Sequence, residues 1–300
     1  MKIYLGKIIE SAFRITKENK NLWVWQMLPA LAFIFAIPTL LILYFNFRNL
    51  LQKPDLQIPI EPWMKLVFDS TWVLVGISFF LLWVISQIVT IYGVVDASKK
   101  LEKIYFSPNF LKSAESFWRV FCVYIIFGGT LVMFIYVLQL ITLPILGNSP
   151  DLAVYFIPFS VFFLAILIII ICIIQLAQAA IAIDNLNILS AISYSLKLLR
   201  THSWNLLPLT IAFYVGLPTL FGFSLFPFLF LAFMAFLFLT RLPDPNVILS
   251  IAFFVGIPLF IIVPTLVLGI LMTFFQSTWA ILYLQISSSL KKPSSREEPA

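Results

Sequence analysis

Histidine occurs once in these 300 residues, at His202, and cysteine twice, at Cys122 and Cys172. A zinc or other metal site needs several His, Cys or acidic ligands in one place, and the sequence does not group them. Both cysteines lie inside apolar runs, where cysteine packs as a small hydrophobe and does not build a disulfide framework. The sequence also lacks a Gly-x-Ser-x-Gly elbow, a Walker-type phosphate loop and, ahead of its tail, a close pair of carboxylates. Hydrolytic and nucleotide-driven chemistry therefore have no recognisable carrier. The chain reads as a non-enzyme with no metal and no cofactor.

Charge is the second scarcity. Only 11% of residues are charged, about half of the roughly 25% usual in soluble domains. Hydrophobic residues make up 62%, with Phe alone present 32 times. A soluble protein of this size cannot hide so much apolar surface and still be wetted, so the surplus faces lipid. The net charge of +6 sits beside apolar runs and reads as membrane orientation, with no nucleic-acid partner implied. The charged, amphipathic first twenty residues lack the short apolar core of a cleavable signal, so the first span is expected to act as the insertion signal.

A spanning helix needs about 20 mostly apolar residues. Six stretches lack Asp, Glu, Lys and Arg over such a length: 21–47, 70–95, 120–150, 152–183, 201–240 and 245–290. The third and fourth flank the turn Gly147-Asn148-Ser149-Pro150-Asp151 and form a hairpin. The last two are long and contain Pro and Gly, which predicts kinked, tilted helices; splitting each would give eight spans. Lys and Arg set the orientation. Fifteen lie at the N-terminus, in the loops after spans two and four, and in the tail; four (Arg48, Lys53, Lys65 and Arg241) lie on the other side. The positive-inside rule places both termini in the cytoplasm, and residues 291–300 read as a disordered cytoplasmic tail.

Three cytoplasmic segments, 3–18, 108–119 and 187–200, place apolar residues on one helical face and charged residues opposite. Each reads as an amphipathic helix at the membrane surface. Each precedes two spans, so the expected architecture is an all-α polytopic bundle of six spans and three surface helices. It forms one membrane domain, 1–290, with a threefold parallel repeat of units 1–98, 99–184 and 185–290. Ser11-Ala12, Ser113-Ala114 and Ser190-Ala191 mark the surface helices. Trp25 and Pro29 are matched by Trp204 and Pro208. The returning spans end with Gln87 and Asp96, Gln175 and Asp184, and Gln276 and Gln285, nine residues apart each time.

Those six residues form the candidate polar layer. Buried amides bond between membrane helices or line a polar route, and Gln139 and Gln178 add to them. Asp96 and Asp184 sit near the cytoplasmic face, where their cost is low, and serve as caps or as an inner mouth. Pro38, Gly216, Pro218, Gly256 and Pro258 are the candidate hinges. The strings around the last four, 210–218 and 250–258, are nearly identical and place Gly two residues before Pro.

The order of amphipathic helix, Trp-containing span entry and acidic residue before the next amphipathic helix is carried by Ser11 to Pro29 and by Ile183-Asp184-Asn185 through Ser190-Ala191 to Trp204 and Pro208. It resembles a broad bacterial multi-pass family labelled glycerophosphoryl diester phosphodiesterase membrane domain. The resemblance implies the membrane part alone. The catalytic barrel of that enzyme needs His and acidic residues that this chain lacks. The Pro-x-acid-x-x-basic signature of mitochondrial carriers is missing.

The expected function is that of a non-catalytic bacterial inner-membrane protein acting through membrane lipid or a protein partner, a second copy of itself included. A transporter or channel for a small solute or lipid is the alternative. A membrane subunit for a separately encoded enzyme is the third reading.

Overall fold

Local sequence signals decide where each helix breaks. The computed structural model describes residues 4–32, 61–99, 106–148, 156–216 and 262–291, with 219, 222, 226 and 230. All regular structure among the described residues is helical. The helices are α1 (Leu5–Glu18), α2 (residues 21–32), α3 (Glu61–Ser98), α4 (Phe106–Asn148), α5 (Phe156–Asp184), α6 (Ile188–Ile211) and α7 (Val263–Lys291).

The first unit breaks at Asn19, whose backbone leaves the helical region (φ −112°, ψ 69°). Its N–H and its side-chain Nδ2 both donate to the Ile15 carbonyl, at 3.0 and 2.9 Å. Across the break, Trp23 Nε1 donates to the Thr16 carbonyl at 2.8 Å. A polar side chain that satisfies a carbonyl at a helix end makes a stable stop. Thus α1 is a separate helix, packed chiefly on α7.

The second amphipathic segment differs from its expectation. Residues 108–119 do not form a separate helix, because α4 runs without interruption from Phe106 to Asn148. After Pro108 in its first turn, no proline follows before Pro144. Gly128 and Gly129 cost about 1 kcal/mol each against Ala, which is too little to break a helix anchored on both sides. The third segment is intermediate. His202 (φ −125°, ψ 25°) kinks α6, Pro208 lies inside it, and a π-helical turn, Ala212–Gly216, follows. Proline removes one backbone hydrogen bond and crowds the carbonyl four residues earlier, so this stretch cannot continue as a regular helix.

Among the described residues, three helices are long and apolar enough to cross a membrane: Val73–Ser98, Phe162–Asp184 and Val263–Ser288, lying within α3, α5 and α7. These three helices pack against one another in pairs, and each buries its C-terminal half. Val84, Ile88, Ile91 and Val94 of α3 meet Cys172, Leu176, Ala177 and Ala180 of α5 and Trp279, Leu282, Tyr283 and Ile286 of α7 in one core. Their N-terminal halves carry exposed apolar residues, among them Val73, Leu74, Ile77, Phe162 and Leu266.

Between membrane helices lipid is as apolar as leucine, so close packing and hydrogen bonds must hold the contact. Small residues permit it. Ala177, Ala179, Ala180 and Ala182 are buried in α5. Gly269 of α7 sits so close to α2 that a Cβ there would lie 3.0 Å from the Trp23 carbonyl and closer still to Met27. Around the central three, α4 packs on α3 and α5, and α6 packs on α5.

Candidate functional site: two buried amide clusters

Two polar clusters lie inside this apolar core. The first joins α2 to α3. Gln26 Nε2 donates to the Ser86 carbonyl at 3.1 Å and to Thr90 Oγ1 at 2.7 Å. Gln87 Nε2 donates to Gln26 Oε1 at 3.0 Å. Both glutamines are buried, Gln87 completely.

The second cluster draws on four elements. Tyr124 of α4 donates its hydroxyl proton to Gln178 Oε1 at 2.7 Å. Gln178 Nε2 donates to Gln175 Oε1 one turn away and to Gln276 Oε1 of α7 at 3.3 Å. Gln175 Nε2 donates to the hydroxyl of Tyr214, in the π-helical turn, at 2.6 Å. The chain of donors is directional, so each amide has one workable orientation. Buried polar groups in hydrocarbon need such partners, and these bonds join helix to helix.

The expected layer is therefore distributed between two places. Gln87 belongs to the first cluster; Gln175 and Gln276 belong to the second. Asp184, at the end of α5, accepts a hydrogen bond from the Tyr283 hydroxyl of α7, and Tyr283 stands edge-on to Tyr194 at 6.3 Å. Asp96 and Gln285 are half-buried at the ends of their helices. Gln26, Thr90, Tyr124, Tyr214 and Tyr283 complete the arrangement and were not read from the sequence. The available signal was a hydroxyl or amide inside a run with no charge, which marks a group needing a partner without naming it.

Two amide atoms in the clusters are buried with no hydrogen-bond partner among the described residues: Oε1 of Gln87 and Nε2 of Gln276. Beside the first cluster lies a cavity of about 280 Å³, lined by Gln26, Pro29 and Ala30 of α2, Phe79 and Trp83 of α3, and Leu268 and Met272 of α7.

Of the candidate hinges, Gly216 ends the π-helical turn, and a Cβ there would meet nothing within 4 Å. Pro38, Pro218, Gly256 and Pro258 lie outside the described residues, as does Gln139 as a side chain.

The amphipathic segments turn their faces differently from the expectation of an undivided apolar side on the bilayer. Each buries a strip against the bundle: Ile8, Ala12 and Ile15 in α1, Asn109, Ser113 and Ser116 in α4, and Ala191, Ser195 and Leu198 in α6. The Ser-Ala pairs do not superpose in role, since Ala12 and Ala191 are buried while Ala114 is exposed. Beside each buried strip stand exposed large side chains: Ile9 and Phe13, Leu111 and Trp118, and Leu189 and Leu196. Lys17, Lys112, Lys197 and Arg200 share these helices and are exposed.

The two Trp entries also part company. Trp25 is buried and stacks on Phe110 at 5.6 Å, whereas Trp204 is 92% exposed. Arg119 of α4 clamps the joint between α5 and α6. It donates to the carbonyls of Asn185 and Leu186 at 3.2 and 3.3 Å and to Asn185 Oδ1 at 2.6 Å. Asn185 holds the left-handed conformation (φ 54°) that Asn tolerates at a helix end.

Compared with protein-family models, with curated proteins and with solved structures, the chain finds no match.

Proposed function

We propose that this is a non-catalytic, multi-pass protein of a bacterial inner membrane that works through contacts with membrane lipid or with a protein partner, a second copy included. In this reading six spans are arranged as three repeated pairs, with both termini in the cytoplasm. The repeat rests on the sequence spacing, a Gln nine residues before an Asp or Gln near the C-terminal end of α3, α5 and α7. The resemblance to the membrane-domain family stands as part of the same proposal, on the stretches Ser11 to Pro29 and Ile183 to Pro208.

One observation carries the functional reading. The amphipathic segments each bury one strip on the bundle and leave other large apolar side chains exposed beside lysines and arginines. Aromatic and aliphatic side chains next to basic ones suit the inner interface of an anionic bilayer, where each Lys or Arg is worth about 1 kcal/mol. The test compares thermal stability in nanodiscs of phosphatidylglycerol and of phosphatidylcholine. The anionic lipid is expected to raise Tm, and Lys197→Gln with Arg200→Gln is expected to remove part of that gain. Equal Tm in both lipids sinks the reading.

A transporter reading has one specific observation in its favour, the kink in α6 followed by a π-helical turn. Solute flux in proteoliposomes that is lost on straightening α6 with Pro208→Ala would establish it instead.

A further inference from the structure

Each of the three amphipathic segments leads into a run without Asp, Glu, Lys or Arg, and the three entries differ in what their cations and tryptophans touch. In the first, Lys20 is the last charge before the run, and Glu18 stands two residues earlier. Trp23 spends its indole N–H on the Thr16 carbonyl, and Trp25 is buried against Phe110. In the second, Arg119 is the last charge, with Glu115 one turn before it. That guanidinium is spent on Asn185 and Leu186.

The third entry has none of these ties. Residues 188–211 of α6 contain no acid, and Arg200 is the last charge before the run 201–240. Lys197 and Arg200 are exposed, and neither side chain has a hydrogen-bond or ion-pair partner among the described residues. Trp204 is almost fully exposed. Spacings of three and four residues make neighbours of Lys197, Arg200 and Trp204, on the side away from the buried Ala191, Ser195 and Leu198. At 1.5 Å rise per residue, Arg200 stands about 6 Å and Lys197 about 10 Å before Trp204 along the helix. Tryptophan favours the boundary between hydrocarbon and headgroups, and the headgroup layer adds about 5–7 Å on each side of the hydrocarbon. An indole at that boundary puts the Arg200 guanidinium at the depth of the lipid phosphates, with Lys197 at their outer edge. Forked and ammonium donors both suit a phosphate. A soluble acidic partner would reach the cations and leave the indole uncovered.

We propose that Lys197, Arg200 and Trp204 form a docking site for an anionic phospholipid of the leaflet through which α6 enters. The two cations donate to its phosphate, and the indole covers the top of its chains. The site rests on the reading given under Proposed function and deepens it, since it names one headgroup chemistry and one of the three amphipathic segments as its receptor.

The test uses the full chain, with the photoreactive aromatic benzoylphenylalanine in place of Trp204, in nanodiscs of equimolar phosphatidylglycerol and phosphatidylcholine. After irradiation, the adduct at that position is identified by mass spectrometry. A lipid adduct is expected. Phosphatidylglycerol should exceed phosphatidylcholine by between about fivefold, for one engaged cation, and about thirtyfold, for two. Lys197→Gln with Arg200→Gln is expected to bring the two lipids to parity. Lys17→Gln with Lys112→Gln, on the other two segments, is expected to leave the ratio unchanged.

Parity with both cations in place overturns the site, as does a ratio that survives Lys197→Gln with Arg200→Gln. A ratio that falls as far with Lys17→Gln and Lys112→Gln overturns its assignment to α6. An adduct to protein, a second copy included, gives the face to a partner and also overturns it. All four substituted side chains are exposed, and the first ratio is read with every cation in place, so it stands even where a variant fails to fold. Parity with a Tm still higher in phosphatidylglycerol sinks this site alone, whereas equal Tm in anionic and zwitterionic lipid sinks the broader reading.

Discussion

Replacing Gln178 with leucine tests whether the second amide cluster holds the bundle together. Leucine is similar in size, so the change removes hydrogen bonds with little loss of volume. Three bonds go: the one from Tyr124 and the ones to Gln175 and Gln276. Side-chain hydrogen bonds between membrane helices average about 0.6 kcal/mol, with a ceiling near 1.7. The loss is therefore about 2 kcal/mol, roughly a thirtyfold fall in the folded-to-unfolded ratio. The measurement is equilibrium unfolding in mixed micelles, titrated with a denaturing detergent. A double-mutant cycle with Tyr124→Phe then isolates one bond, since Phe keeps the ring beside Trp83, 4.9 Å away. Its coupling should fall between about 0.5 and 1.7 kcal/mol. A Gln178→Leu protein as stable as the original, or a cycle with no coupling, would refute the argument that these amides act as interhelical bonds.

Two further outcomes follow from close contacts. Gly269→Leu places side-chain atoms against the Trp23 carbonyl and Met27, and should destabilise by about 1–3 kcal/mol. Gly128→Ala, with open space around it, should be neutral or slightly stabilising in the same unfolding assay. Arg119→Ala removes the clamp on Asn185 and Leu186. Hydrogen exchange at residues 185–190 should speed up, Arg119→Lys should restore it only in part because lysine lacks the forked donor, and unchanged exchange in both variants would refute the clamp.

Some of this was legible in the residues alone. The scarcity of charge and the long apolar runs require a membrane, because an unpaired backbone or a bare charge is too costly in hydrocarbon and an exposed apolar surface is too costly in water. The runs 70–95, 152–183 and 245–290 were read as spans, and α3, α5 and α7 each contain a stretch long and apolar enough for one. The amphipathic segments were readable as helices from their periodicity. Their independence was not. Whether such a segment stops, continues or kinks depends on single residues, and Asn19, the proline-free stretch of α4 between Pro108 and Pro144, and His202 with Pro208 gave three different results. Periodicity also could not say which apolar residues face the bundle, since Ala12 and Phe13 sit side by side in the sequence and only one is buried.

The candidate site divides in the same way. Spacing alone identified Gln87, Gln175 and Gln276 as amides at equal distance from a span end, because a polar side chain in an apolar helix stands out and the helical rise turns nine residues into about 13 Å. Nothing in one dimension states the partner of an amide. Gln87 bonds with Gln26, 61 positions away, and Gln178 with Gln276, 98 positions away. Those pairings depend on which helices pack together, and packing is a property of whole faces in three dimensions. The sequence by itself determined that this chain lives in a membrane and where its polar groups are costly. Only the tertiary structure decided which groups meet, and which space between them is left to be filled.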